Sequence, residues 1–104
     1  MNLTLYWQPQ ADLNQSLTVF VHIVDESGNI VGQQDQIPAR GARPTTGWSP
    51  GEVVKDDYQI LIKPHAPAGD YAVQVGWYDP LTGQRVLLND GTDFLILPQP
   101  ITIR

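Results

Sequence analysis

The chain has 104 residues, of which 16% are charged, with eleven acidic residues against six basic ones and a net charge of −5. This length predicts one domain with an adequate core, and the scattered bases argue against nucleic acid or an anionic membrane surface as a partner, because both need a basic stripe. The chain has no cysteine, which excludes disulfides, thiol nucleophiles and cysteine-ligated metal sites.

The first part of the chain predicts two strands that lead into a hairpin. Apolar and polar residues alternate over 3–8 and again over 17–24, with the period of two that is typical of half-buried strands. Residues 25–29 then predict a short loop in which Gly28 takes a positive φ, and the extended pattern resumes over 30–36.

A long connection and a second pair of strands follow. Residues 37–50 are rich in Pro, Gly, Arg and Thr and show no alternation, and the run Ser49-Pro-Gly-Glu52 fits a type II turn. We expect a long strand over 53–63, a corner over 64–69 that is set by proline and glycine, and the strongest strand over 70–79.

The last part of the chain predicts shorter strands. A loop over 79–84, built on a type I turn, leads into a strand over 85–88, and two final strands are expected over 94–97 and 101–103. Prolines separate these two strands, so this end is expected at a sheet edge or at a crossing between sheets. Seven or eight short strands with a long middle connection predict an all-β, antiparallel, two-sheet sandwich that is immunoglobulin-like or fibronectin-III-like, with Greek-key connections.

The aromatic residues divide into core candidates and ligand candidates. Trp7, Trp77 and Tyr71 alternate in register with aliphatic residues and are expected in the core, Tyr71 as a tyrosine corner whose hydroxyl bonds nearby backbone. Trp48 lies in the long connection, where its ring either closes the end of the sandwich or contacts a ligand. Tyr78 is a further candidate surface on which a sugar ring could stack.

Two arginines in the same connection are candidate ligand contacts. Arg40 and Arg43 could meet a phosphate, an acidic glycan or a neighbouring domain. The alternative is that they are solvated or form salt bridges to Asp35 and Glu52. The candidate ligand-binding residues are therefore Trp48, Arg40, Arg43 and Tyr78.

The titratable residues give little support for catalysis. His22 in a strand and His65 in the corner have no histidine or cysteine neighbours at metal spacing, and no nucleophile signature accompanies them. Asp79, Asp90 and Asp93 at loop ends could gather around calcium, although acids in turns usually cap their own backbone. We predict no catalytic residue, no metal site and no cofactor.

Asp56 and Asp57 are adjacent in a predicted strand, so their side chains point to opposite faces. They cannot form a carboxylate pair with each other. The one that faces inward needs a partner, for which Lys55 and Arg85 are the candidates.

A set of short motifs resembles one bacterial domain family. The motifs run from Leu3 to about Leu88 and are Leu5-Tyr-Trp7, Val19-Phe-Val-His-Ile23, Gln34-Asp35, Pro44-Thr-Thr-Gly-Trp48, Pro50-Gly-Glu52, Asp56-Asp-Tyr58, Pro67-Ala-Gly-Asp-Tyr71, Val75-Gly-Trp-Tyr-Asp79, Thr82-Gly83 and Arg85. In this combination the chain resembles a β-sandwich domain at the C-terminal, extracytoplasmic end of bacterial multi-pass membrane proteins described as glycosyltransferases of the lipid-phosphosugar type. The resemblance implies an extracytoplasmic location and attachment to a membrane protein of this kind. It does not assign a function to any residue.

Two functions from different classes are expected. The first is a non-catalytic accessory or interaction domain of a bacterial cell-envelope protein. We expect residues 1–104 to be one domain excised from a larger membrane protein, on the periplasmic side or at the cell surface, with the parent membrane domain or another envelope protein as partner. The alternative is a carbohydrate-binding module, which coplanar exposed aromatic rings would indicate. An independent hydrolase would need a pocket that holds His22 or His65 beside acids.

Overall fold

Two antiparallel sheets pack face to face in the computed structural model, which describes residues 1–104. The strands are β1 (Asn2–Trp7), β2 (Thr18–Val24), β3 (Ile30–Gln36), β4 (Val54–Gln59), β5 (Gly69–Tyr78), β6 (Leu95–Ile96) and β7 (Ile101–Ile103). The prediction of an all-β, antiparallel, two-sheet architecture is confirmed. A single 3₁₀ turn at Thr45–Gly47 is the only helical element, and no helix is long and apolar enough to cross a membrane.

The two sheets differ in size. The small sheet contains β1 and β4, with Leu3 opposite Tyr58 and Leu5 opposite Asp56. The large sheet has the order β3-β2-β5-β6, and β7 pairs with the first residues of β5. Five strands therefore face two, and β1 and β4 must cover the core that the large sheet presents.

The core lies where the inner faces of the two sheets meet. The period of two in β2, β4 and β5 places apolar side chains inward at alternate positions, as predicted. The buried cluster is formed by Val19, Val21, Ile23, Val31, Tyr58, Ile60, Tyr71, Val73 and Val75. The Tyr71 hydroxyl donates a hydrogen bond to the Pro67 carbonyl, which is the bond that defines a tyrosine corner.

The predicted single strand over 53–63 is wrong. β4 ends at Gln59, Leu61 is 89% exposed, and Ile62 then forms a bridge with Gly32 of β3. The chain thus crosses from the small sheet to the large one. Alternation continues through the crossing because both sheets share one interior, so the pattern does not reveal where the pairing partner changes.

The strands predicted over 85–88 and 94–97 are shorter in the structure. Arg85 forms only an isolated bridge with Tyr78, and β6 retains two residues. Together with β7, these short segments pair with β5 and form the edge of the large sheet. The prolines around β7 limit the ladder, because each one removes a donor.

Candidate functional site

A pocket of about 390 Å³ lies at one end of the sandwich. Its main apolar lining consists of Trp7, Trp48, Trp77, Leu13, Leu17 and Val86, and none of its lining residues is charged. Trp7 ends β1, Trp77 lies near the end of β5, and Trp48 follows the 3₁₀ turn. Three separate elements therefore bring three tryptophans to one place.

The Trp77 ring contacts the rings of the other two tryptophans, and together the three form the floor of the pocket. The Trp7 and Trp77 ring centroids are 4.5 Å apart at an interplanar angle of 59°, and those of Trp48 and Trp77 are 5.9 Å apart at 81°. Trp48 is only 5% exposed. The rings are steeply inclined to one another, so they do not form a flat stacking platform.

Two of the three indole N–H groups are bonded within the protein. Trp7 Nε1 donates to Asp56 Oδ2 at 3.0 Å, and Trp48 Nε1 donates to the Arg43 carbonyl oxygen at 3.0 Å. The Trp77 N–H makes no hydrogen bond within the protein, and it is not sealed from solvent, since no buried side-chain nitrogen lacks a partner. Trp77 therefore supplies the one free indole donor.

Thr45 fixes the wall of the pocket. Its side chain is fully buried, and Thr45 Oγ1 donates to the Gln15 carbonyl at 2.5 Å and accepts from the Leu17 N–H at 3.1 Å. These bonds tie the 3₁₀ turn to the loop that carries Leu13. The wall is thus held by a side chain of one loop that bonds the backbone of another.

A buried carboxylate beneath the pocket organises the polar interior. Asp56 is 0% exposed, and Asp56 Oδ1 accepts from Gln36 Nε2 at 2.9 Å and from the Ala39 N–H at 2.8 Å. Oδ2 accepts from Trp7 Nε1 at 3.0 Å and from the Tyr58 hydroxyl. Four neutral donors thus satisfy the carboxylate, which meets the general requirement that buried polar groups be paired.

The expectation that Lys55 or Arg85 would pair with the inward acid is wrong. Lys55 is exposed, and Arg85 lies over the Phe20 ring, 4.3 Å from its centroid. Burial, and then the hydrogen bond to Asp56, raises the pKa of Tyr58 far above its usual value. Tyr58 therefore remains a donor to Asp56 at ordinary pH.

The structure does not gather the four predicted ligand residues. Arg43 forms a salt bridge with Glu52 at 2.8 Å, which was one of the two expected pairs, and this bond holds the pKa of Glu52 below its usual range. Arg40 is exposed, has a φ of 54° and lines two shallow surface depressions away from the tryptophans. Only Trp48 of the four lies at the pocket.

Tyr78 lies on the outer face of the large sheet. Its hydroxyl donates to Asp35 Oδ2 at 3.0 Å, and desolvation, followed by the bond to Asp35, raises the pKa of Tyr78. His22 lies on the same face, with its ring centroid 4.8 Å from that of Phe20. This face is therefore an aromatic surface separate from the tryptophan pocket.

The loop acids bond their own turns. Asp79 Oδ1 accepts from the Leu81 N–H at 2.9 Å, and Asp90 Oδ1 accepts from the Thr92 N–H at 2.9 Å. Asp93 lies 3.5 Å from Arg85. No three His, Asp or Glu side chains lie close enough together to hold a metal ion.

Sequence reasoning missed the wall residues Leu13, Leu17 and Val86. Leu17 was assigned to a strand, and Leu13 lies in a polar segment that has no period. An isolated leucine between polar loop residues does not by itself mark a pocket wall, since Leu81 in a similar setting is 93% exposed.

Comparison with known proteins finds no family model that matches the chain, and no match among curated proteins or solved structures.

Proposed function

We propose that this chain is a non-catalytic accessory domain of a bacterial cell-envelope protein, and that it docks an uncharged, apolar group of a partner in the tryptophan pocket. The pocket carries this proposal, because it is apolar, uncharged and built from three separate elements. The motif resemblance supports the location, which we propose to be outside the cytoplasm, tethered by a membrane domain of the same polypeptide.

The pocket matches the chemistry of a docking site for a small apolar group. Its volume of about 390 Å³ lies at the lower end of the range for ligand pockets, roughly 300–1,000 Å³. A charged group entering it would lose hydration and find no opposite charge. A single ring or a branched aliphatic group fits both its size and its polarity.

The hydrogen bonds of two carboxylates support a non-catalytic role, because these bonds join parts of the protein to one another. Asp56 takes four donors from its surroundings, and Glu52 bonds Arg43 and the Ser49 N–H. A general base must be free to reach a substrate proton. These carboxylates are instead committed to holding loops and sheets together.

We also propose that the sandwich is immunoglobulin-like. In that fold, strands B and E pair in one sheet, and strands C, F and G are adjacent in the other, with a tyrosine corner near the start of F. Here β1 pairs with β4, β2 and β6 flank β5, and Tyr71 lies near the start of β5. This supports β1 and β4 as B and E, and β2, β5 and β6 as C, F and G.

The genomic reading frame around this segment tests the proposed attachment. We expect it to encode hydrophobic segments of about 20 residues, long enough to span a membrane, in the same polypeptide. A reading frame that encodes no such segment would contradict the tethered location without affecting the pocket.

A titration monitored by NMR tests the pocket. Cyclohexanol, a neutral ring, is expected to shift the Trp77 indole N–H resonance saturably, with the millimolar affinity usual for so small a probe. Cyclohexanecarboxylate should bind more weakly because the pocket has no cation. Ala11→Trp, which fills the pocket mouth, should abolish the shift, whereas the control Ala11→Ser should retain it. A shift of equal size in Ala11→Trp would refute the pocket as the site.

Carbohydrate binding is the second candidate function. The free Trp77 N–H favours it, because a sugar hydroxyl could accept that bond while the apolar face of the sugar covers the ring. Methyl β-glucoside in the same titration separates the two candidates: saturable binding of the glucoside but not of cyclohexanol would favour the carbohydrate function.

A further inference from the structure

Two parts of the tryptophan pocket wall differ in how firmly they are held. Thr45 is fully buried and bonds two backbone groups of the neighbouring loop. Val86 also lines the pocket, but it is 39% exposed and lies in a run of exposed residues, 81–87. The wall at Val86 therefore lacks the buried anchor that Thr45 provides.

Two backbone hydrogen bonds hold residues 84–88, which we call the Val86 segment, beside the end of β5. The Asp79 N–H donates to the Gln84 carbonyl at 2.9 Å, and the Val86 N–H donates to the Trp77 carbonyl at 2.9 Å. The chain then leaves β5 and pairs with it again at β6. Exposed segments with few backbone bonds open locally at low free energy, so the Val86 segment needs a further contact to stay in place.

Arg85 makes that contact on the other face of the sheet. Arg85 and Val86 are consecutive residues beside β5, and in extended backbone such neighbours point to opposite faces. Val86 lines the pocket, whereas the Arg85 guanidinium lies 4.3 Å from the centroid of the Phe20 ring, within the distance of about 6 Å at which a ring attracts a cation. Arg85 does not line the pocket, so it can affect a ligand there only through Val86.

Phe20 is a firm support for this contact. It is 2% exposed and lies in β2, with Asp35 of β3 on one side and Gly76 of β5 on the other. Because Gly76 has no side chain, the Phe20 ring occupies the space where a Cβ would be. The contact therefore ties the weakly bonded Val86 segment to the middle of the large sheet.

The salt bridge of Arg85 does not provide the same connection. Arg85 Nη1 lies 3.5 Å from Asp93 Oδ2, and the two side chains are 40% and 39% exposed, so solvent screens the pair. Asp93 follows the Val86 segment in the same excursion between β5 and β6. The contact with Phe20 is thus the one that connects Arg85 to β2.

We propose that Arg85 is a positioning residue of the tryptophan pocket. From the outer face of the large sheet it holds the Val86 segment against β5 and so keeps Val86 in the pocket wall. The proposal rests on the proposed apolar docking function and adds a means by which binding there is controlled. When Arg85 leaves Phe20, the segment moves away from β5, the pocket loses part of its apolar wall, and an apolar group binds more weakly.

Amide hydrogen exchange of the ligand-free protein, measured by NMR, tests the positioning role. In Arg85→Ala the Val86 amide is expected to exchange about threefold faster or more, the size expected for the loss of one partly exposed contact between a cation and a ring. Low concentrations of urea should barely change this rate, because local opening exposes little surface. Arg40→Ala is the control: Arg40 is exposed and does not line the pocket, so Val86 exchange should stay at the wild-type rate.

A disulfide that replaces the Arg85 contact tests the link to the pocket. Tyr78 and Arg85 form an antiparallel bridge that is flanked by the two backbone bonds of the segment, which is the arrangement of a non-hydrogen-bonded pair with Cα atoms about 4.5 Å apart. A disulfide can span this distance, and the chain has no other cysteine. The oxidised Tyr78→Cys/Arg85→Cys protein therefore fixes the segment without Arg85, and the reduced protein leaves it loose.

Cyclohexanol binding to these proteins shows whether the segment controls the pocket. The oxidised double variant should bind the probe about as tightly as the wild type. The reduced double variant and Arg85→Ala should bind it about twofold more weakly or worse, because a smaller fraction of the protein has the complete wall. Both redox forms lack Tyr78 and Arg85, so a difference between them reports the position of the segment and not the loss of either side chain.

Unchanged Val86 exchange in a folded Arg85→Ala protein would overturn the proposal, and so would an increase that depends on urea as strongly as exchange at Val21 and Val73 in the core. Equal cyclohexanol affinity of the oxidised and reduced double variants would also overturn it. A wild-type protein that does not bind cyclohexanol would refute the docking function instead, and Val86 exchange would still decide whether Arg85 holds the segment.

Discussion

At the residue scale, the fully buried Asp56 determines how the two sheets and the long connection meet. Its carboxylate joins Trp7 of β1, Tyr58 of β4, Gln36 of β3 and the backbone of Ala39. Ala39 has a φ of 56°, in the left-handed region that non-glycine residues rarely occupy. One side chain therefore orients a pocket tryptophan and stabilises a strained turn.

Asp56→Ala tests this role. The substitution leaves several buried donors without a partner, so we expect the free energy of unfolding to fall by about 3 kcal/mol or more, measured by urea denaturation. The neighbouring Asp57→Ala is the matched control: Asp57 accepts one bond, from Thr4 Oγ1 at 2.6 Å near the surface, and its loss should cost less than about 1 kcal/mol. Similar losses in the two variants would contradict the central place of Asp56.

Tyr71→Phe should lower the free energy of unfolding by about 1 kcal/mol, because it removes the bond to the Pro67 carbonyl and keeps the ring. Tyr6→Phe serves as the control, since Tyr6 is 66% exposed. Cyclohexanol binding should be unaffected in both variants. Equal melting curves for Tyr71→Phe and the wild type would remove the corner assignment.

His22 makes stability depend on pH near neutrality. Its burial lowers the pKa of His22 below 6.5, with Asp35 opposing the shift and Arg85 adding to it. The unfolded chain therefore binds more protons just below about pH 6.5, and the free energy of unfolding should fall as the pH drops through this range. His22→Gln should reduce this fall between about pH 7.5 and 5.5. An identical pH dependence in His22→Gln and the wild type would contradict this reasoning.

At the element scale, the contact between β2 and β5 depends on a glycine. A Cβ at Gly76 would overlap the Phe20 ring and lie 2.8 Å from the Asp93 carbonyl oxygen. Phe20 is 2% exposed, and Arg85 covers its ring. The absence of a side chain at Gly76 thus lets Phe20 lie flat against the outer face of the large sheet.

Gly76→Ala should therefore destabilise the protein by about 1–3 kcal/mol, the usual cost of overpacking a core. Gly47→Ala is the control, since a Cβ there would have no neighbour within 4 Å and the residue has no positive φ. Thermal unfolding of the two variants compares them directly. A Gly76→Ala protein as stable as Gly47→Ala would show that Phe20 can move aside.

The elements that the sequence could place are those that stay in one sheet over their whole length. β2, β3 and β5 each do so, and the sequence placed each of them within a residue or two. The crossing at Leu61 could not be predicted, because side-chain alternation shows which side chains face the interior and not which strand is the pairing partner.

The tryptophan pocket could not be predicted from the sequence for a related reason. Trp7 and Trp77 were placed in the core, but their meeting with Trp48 and Leu13 depends on loop bonds made by Thr45.

At the scale of the whole molecule, the sandwich has a closed side and a pocket at one end. The crossing after β4 closes the β3–β4 side, and the three tryptophans floor the pocket. The lining of the tryptophan pocket is uncharged, although the chain carries a net charge of −5. Recognition in the proposed docking pocket would therefore rely on apolar contact rather than on charge.

Nuclear Overhauser contacts between cyclohexanol and the wild-type protein test the pocket most directly. If the tryptophan pocket is the docking site, the ring protons of the probe should show contacts to Trp77, Leu13 and Leu17, which line the pocket together. The Ala11→Trp protein should lose these contacts while remaining folded. Contacts confined to exposed rings such as Tyr6, or no contacts at all with a folded wild-type domain, would contradict the proposed site.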